Sequence, residues 1–141
     1  MLPVKREDQI ALFHGTSSKR CVAIETSGLD CPYLTDDPEI AAYYAEVATE
    51  EEGGSAVIFS VSVQDLRALR YDGAAMDEPV LVDEEDRDAV WREAAQNHPE
   101  WTQGTDTIIC PPEAWEVSLA GARSVRCAER IPTEMIRLEG G

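Results

Sequence analysis

Clustered positive charge is what this chain most lacks. Twelve Lys and Arg stand against 28 Asp and Glu in 141 residues, a formal net charge of −16. The basic residues adjoin only as pairs, such as Lys5-Arg6 and Lys19-Arg20. A protein that grips a nucleic acid by its phosphates needs clustered Lys and Arg that displace counterions, so this balance disfavours a nucleic-acid partner. An acidic surface keeps a small protein soluble, and it also suits recognition of a basic partner protein.

Paired cysteines are missing too. Cys21, Cys31, Cys110 and Cys127 form no Cys-x-x-Cys and have no His at metal-ligand spacing. Zinc, or any metal, therefore has little support, and reduced, half-buried thiols of a cytosolic protein are expected. No apolar run approaches the length that spans a bilayer, and the opening residues Met1-Leu2-Pro3-Val4-Lys5-Arg6-Glu7-Asp8 become charged before one can develop. The expectation is a soluble protein of the cytoplasm, either of the cell that makes it or of one it is delivered into. With no internal repeat or low-complexity linker, residues 1–141 read as one domain, long enough for one core and too short for two.

What is present is a series of short elements. Ile10-Ala11-Leu12-Phe13 reads as a buried strand, after which Ser17-Ser18 supply N-cap chemistry for a helix that Gly28 stops. Tyr33-Leu34-Thr35 is a second strand, and Asp37 with Pro38 opens a helix over 38–48. On that helix Ile40, Tyr44 and Val47 share an apolar face, and Tyr43 points about 100° away. The tract 49–54 reads as a solvated acidic turn, and 56–63 as a central strand rich in β-branched residues. A helical turn is expected over 64–70, an extended piece over 79–82, and an amphipathic helix over 83–97 with Ala89, Val90, Trp91 and Ala94 inward. Three further strands are expected at 107–110, 114–119 and 124–127. The pattern is that of an α+β domain with two packed, mainly antiparallel sheets and flanking helices, carrying a helical insertion at about 72–104.

The chemistry-bearing stretches are Leu12-Phe13-His14-Gly15-Thr16-Ser17 and Pro32-Tyr33-Leu34-Thr35-Asp36-Asp37, followed directly by the helix with Tyr44. In order and spacing they resemble the first two motifs of the histidine-tyrosine branch of the ADP-ribosyltransferase superfamily, which includes diphtheria toxin, the poly(ADP-ribose) polymerases and many small bacterial and phage transferases. The resemblance covers the N-terminal half well and the rest loosely, apart from a closing Ile131-Pro132-x-x-x-Ile136 that small members share. It implies a split-sheet fold and NAD as substrate. It further implies that His14 bonds a ribose hydroxyl, that the Gly15 backbone grips the nicotinamide carboxamide with Thr16 beside it, and that Tyr33 and Tyr44 sandwich the nicotinamide ring.

Cleaving the nicotinamide–ribose bond passes through an oxocarbenium-like sugar that a carboxylate stabilises. In the family this is a Glu at the start of a late strand. Here Glu116 is favoured for that catalytic role beside His14 and Tyr33, because alternation of Trp115, Val117 and Leu119 leaves it on the opposite face of a strand-like segment. Counted back from Ile131-Pro132, the position falls near Ala122 to Ser124, none of them acidic; Ser124 is the alternative, and Glu113 and Glu129 are further candidates. The implied activity is mono-ADP-ribosylation of a protein acceptor, or NAD hydrolysis, as suits a toxin, an effector or a phage protein. Two other readings stand beside it: an inactive member of the fold that binds a protein through its acidic surface, and an RNA 2′-phosphotransferase, which also begins with His-Gly-Thr but needs several cations for an RNA phosphate.

Overall fold

The computed structural model describes residues 10–102 and 108–140. The charged opening at 1–8, positions 103 and 104 of the expected insertion, and Thr107 lie outside them. The chain forms a mixed α+β structure. Its strands are β1 (Ile10–Ser17), β2 (Tyr33–Thr35), β3 (Ala56–Val63), β4 (Leu69–Tyr71), β5 (Ser124–Cys127) and β6 (Ile136–Gly140). The helices are α1 (Cys21–Ser27), α2 (Pro38–Glu52), α3 (Gly73–Asp77), α4 (Glu84–Asn97) and α5 (Trp115–Ala122).

Instead of two packed sheets, the six strands make one antiparallel sheet in the order β4-β5-β2-β1-β3-β6. Its cohesion is uneven. β1 pairs with β3 along its whole length, from Ile10 opposite Val63 to Ser17 opposite Ala56, whereas β1 meets β2 only where Phe13 faces Thr35. The sheet is thus nearly divided into a β4-β5-β2 half and a β1-β3-β6 half. β3 behaves as its alternation requires, burying Val57, Phe59, Val61 and Val63. With Leu12, Leu34, Leu69, Val125 and Ile131 these form the main core, which Trp115 and Leu119 of α5 help to cover.

α2 starts as its sequence dictates, with the Asp37 carboxylate accepting from the Glu39 N–H at 2.9 Å and Pro38 in the first turn. It runs on to Glu52, through the tract expected to be a turn, and stops at Gly53 with φ of 86°. Glutamate is a good helix former, and the misfit of acidic side chains with the C-terminal dipole is offset at Glu52 by Arg20, whose Nε lies 3.0 Å from one carboxylate oxygen. The hydrogen bonds from Arg20 hold the Glu52 carboxyl below its ordinary value. Gly28 is required where expected: its φ is 80°, and a Cβ there would lie 2.1 Å from the Ile131 carbonyl oxygen.

Several expectations are corrected. Residues 64–70 hold a short 3₁₀ turn at Leu66–Ala68 and then strand β4. The 79–82 piece is a series of bends, and 108–110 has no regular structure. The segment read as a strand at 114–119 belongs to α5, because Trp115 and Leu119, one helical turn apart, both reach the main core while Val117 packs on the Met76 cluster. In α4 the buried positions are Arg87 and Ala94; Val90 and Trp91 are half-buried and Ala89 is exposed. Arg87 is held inside by the Met76 carbonyl, by Asp88 at 2.8 Å and by the Trp91 ring at 4.3 Å. Among the described residues no helix is long and apolar enough to cross a membrane.

Gly15 sets how closely α2 rests on β1, since a Cβ at this position would lie 1.8 Å from the Ala41 carbonyl oxygen and 3.1 Å from the Ala45 nitrogen. Gly15→Ala should therefore lower stability by about 3 kcal/mol. Urea melts of the two proteins check this, and equal midpoints would contradict the close approach.

Candidate functional site

Where β1 and β2 diverge, a cavity of about 580 Å³ opens between them and is walled by α2 and by the start of α3. A hollow of this size accommodates a small organic ligand. His14 and Gly15 line it from β1, Tyr33 and Thr35 from β2, Tyr43 and Tyr44 from α2, and Ser124 from β5. Four of the residues singled out for binding, His14, Gly15, Tyr33 and Tyr44, are therefore in one cavity. Thr16 is not among its lining residues and is buried in β1.

The Nδ1 of His14 lies 3.0 Å from the Tyr33 carbonyl oxygen. A carbonyl oxygen only accepts, so Nδ1 carries the proton in this bond. It ties the two strands together just where their ladder gives out. Burial lowers the His14 pKa, a trend the Tyr33 bond partly opposes, and near neutral pH the ring is uncharged with Nε2 left as an acceptor. A ligand hydroxyl is the natural donor to such a nitrogen.

The tyrosines are more open than the sequence pattern implied, because the side of α2 that enters the core is Ile40, Ala41 and Ala45. Tyr33 is 57% and Tyr44 40% exposed. Tyr43 and Tyr44 stand edge to face with centroids 5.5 Å apart, and both contribute to the cavity. The Tyr44 hydroxyl is held protonated, chiefly by burial and then by the nearby Asp72 carboxylate and Tyr43.

Glu116, read from the sequence as the catalytic carboxylate, is on α5. It lines a separate shallow depression with Trp115, Leu119 and Arg123, not the His14 cavity. The residue found at the expected third position is Ser124, the first of β5, opposite Thr35 on β2. The turn that presents it is tightly held. Arg123 takes the left-handed conformation at φ 58°, its carbonyl accepts from Thr35 Oγ1 at 2.5 Å, and its guanidinium pairs with Asp36 at 2.6 Å.

Ser124 Oγ donates to the Asp72 carboxylate at 2.6 Å. Asp72 is only 3% exposed, yet it lines the cavity. Its other carboxylate oxygen caps α3 through the Ala75 N–H at 3.1 Å, and its own N–H donates to Ser118 Oγ at 3.0 Å. Sequence reasoning missed it because Asp72-Gly73-Ala74-Ala75 reads as a helix N-cap, which it also is. Only the β4–β5 register, continued one residue past Tyr71, brings it opposite Ser124.

Glu51 and Glu78 join Asp72 on the cavity wall, and no Lys or Arg does among the described residues. Lys19 and Arg20 are not part of the lining, and Arg20 is engaged by Glu52. No group of three His, Cys, Asp or Glu stands together as a metal-ligand set among the described residues. The site favours a cationic or ring-bearing ligand with hydroxyl donors. Comparison with protein-family models and with curated protein sequences finds no match for this chain.

His14 gives the site a pH signature. Its folded pKa lies below the ordinary value of 6.5, so the unfolded chain binds more protons just below that pH. Stability from this residue is complete above 6.5 and is lost as pH falls through the window beneath it. His14→Gln should flatten the stability profile in the window just below pH 6.5. Denaturant melts across this window test it, and identical slopes for both proteins would contradict a half-buried imidazole kept neutral.

Proposed function

We propose that the chain is an NAD-dependent mono-ADP-ribosyltransferase of the kind its first two motifs resemble, acting on a protein side chain or, with water as acceptor, hydrolysing NAD. One observation carries this reading: an uncharged His14 with Nε2 left as acceptor shares a cavity with Tyr33, Tyr44 and a buried Asp72–Ser124 pair.

The nicotinamide of NAD is a cationic ring, for which tyrosine faces and carboxylates are favourable surroundings. His14 Nε2 accepts from a hydroxyl of the adjoining ribose and fixes the sugar, while Gly15 offers backbone without a side chain where the carboxamide rests. As the bond between the sugar's anomeric carbon and the ring nitrogen breaks, nicotinamide leaves neutral with the bonding pair, and positive charge builds on the sugar. Asp72 supplies the stabilising carboxylate in place of Glu116, with Ser124 as the hydroxyl that positions it. The acceptor then bonds to the anomeric carbon and its proton passes to solvent. An RNA 2′-phosphotransferase reading is less well supported, because the cavity wall is acidic where that chemistry requires several cations.

Nicotinamide release from NAD by the purified protein, with and without a host lysate, tests the proposal. His14→Ala and Asp72→Asn should each reduce release by about 100-fold or more, whereas Glu116→Gln should remain within about twofold of wild type. Loss in Glu116→Gln with retention in Asp72→Asn would return the carboxylate to α5. No release and no NAD binding would favour the partner-binding reading.

A further inference from the structure

A dinucleotide carries two phosphates, and the cavity wall offers them no cation. The neighbouring sheet face does. On β2, β5 and β4, the residues Leu34, Val125, Cys127 and Leu69 point into the core. Alternation puts Tyr33, Thr35, Ser124, Arg126 and Arg70 on the opposite face. Their registers form two cross-strand rows: Thr35 beside Ser124, which Asp72 extends, and Tyr33 beside Arg126 beside Arg70. The rows are two residues apart, about 7 Å along the strands. The first row and Tyr33 line the cavity, and the two arginines, which do not, follow Tyr33 in its row across β5 and β4.

Directly opposite side chains have Cβ atoms about 5 Å apart, a placement that is unfavourable for like charges. Like Arg92 and Arg137, which face no second arginine across a strand pair, neither arginine has an ion pair among the described residues. Arg20, Arg67, Arg87, Arg123 and Arg130 each pair with a carboxylate. The Arg126 guanidinium instead stands 5.9 Å from the centre of the Tyr33 ring. One terminal nitrogen of Arg70 donates to the Leu69 carbonyl at 2.9 Å and to that of Arg67, and among the described residues its Nε and second terminal nitrogen have no partner and can meet a ligand.

We propose that Arg126 and Arg70 are the phosphate site of a dinucleotide whose nicotinamide end occupies the His14 cavity, with Tyr33 between the two halves. The assignment rests on the NAD reading above, but the anion site is testable without turnover. Guanidinium forks match phosphate oxygens, and a bound phosphate relieves the repulsion between the pair.

Calorimetric titration of the full chain with inorganic pyrophosphate, NAD and nicotinamide provides the test, using wild type, Arg126→Gln, Arg70→Gln and, as a surface control, Arg92→Gln. Arg126→Gln and Arg70→Gln should each weaken pyrophosphate and NAD by about tenfold or more, while nicotinamide and the Arg92→Gln protein behave as wild type. Melting temperatures near that of wild type confirm that the variants fold. The proposal is overturned if wild type does not bind pyrophosphate, if NAD affinity is indifferent to both arginines, or if Arg92→Gln loses as much. Arginine-dependent binding of pyrophosphate and NAD with no nicotinamide release would leave the phosphate site standing and remove the transferase reading.

Discussion

Strands β1 and β2 share a single registered pair before they part, and the cavity exists because of that parting. Two contacts border it. On one side the Gly15 backbone accepts α2 at a distance no side chain permits. On the other, the His14 ring reaches the Tyr33 carbonyl and substitutes for the missing ladder bond. The residue that links the two strands also lines the cavity, so the strand junction and the cavity wall share one side chain.

Electrostatics then divides the site. Asp72, Glu51 and Glu78 make the cavity acidic, which suits a cationic ring and a sugar that becomes positive during reaction. Arg126 and Arg70 supply opposite charge one row along the same sheet face. Net charge of −16 conceals this arrangement, since composition reports a sum and the sheet register determines which charges are neighbours. The buried Asp72 is kept in place by Ser124, the Ala75 N–H and the backbone bond to Ser118, so the carboxylate is rigid before any ligand arrives.

Much of this was legible in the sequence. β3 could be read from its alternation, α2 from Asp37 and Pro38, α4 from its amphipathic pattern, and the grouping of His14, Gly15, Tyr33 and Tyr44, which share one cavity, from motif order. The losses have physical causes. Trp115, Val117 and Leu119 satisfy a period of two as well as a helical turn, and only tertiary packing separated the two. Glu116, placed on a strand by the same reading, lies on α5. Asp72 carries an N-cap and a cavity carboxylate in one side chain, and its second role depends on a register between strands that are more than fifty residues apart in the chain. α2 outran its expected end because Thr49-Glu50-Glu51-Glu52 is acidic, which suggests solvent, yet also strongly helix-forming.

The proposed chemistry requires a neutral, Nδ1-protonated His14 whose Nε2 is open to a ligand. The chain has only two histidines, His14 and His98, so a long-range proton–nitrogen correlation spectrum, assigned with His14→Gln, reports on the ring directly. The Nδ1–H tautomer is expected in the free protein, with a shift of Nε2 on saturation with NAD. A protonated Nε2 in the free protein, or a His14 spectrum unmoved by NAD, would contradict it.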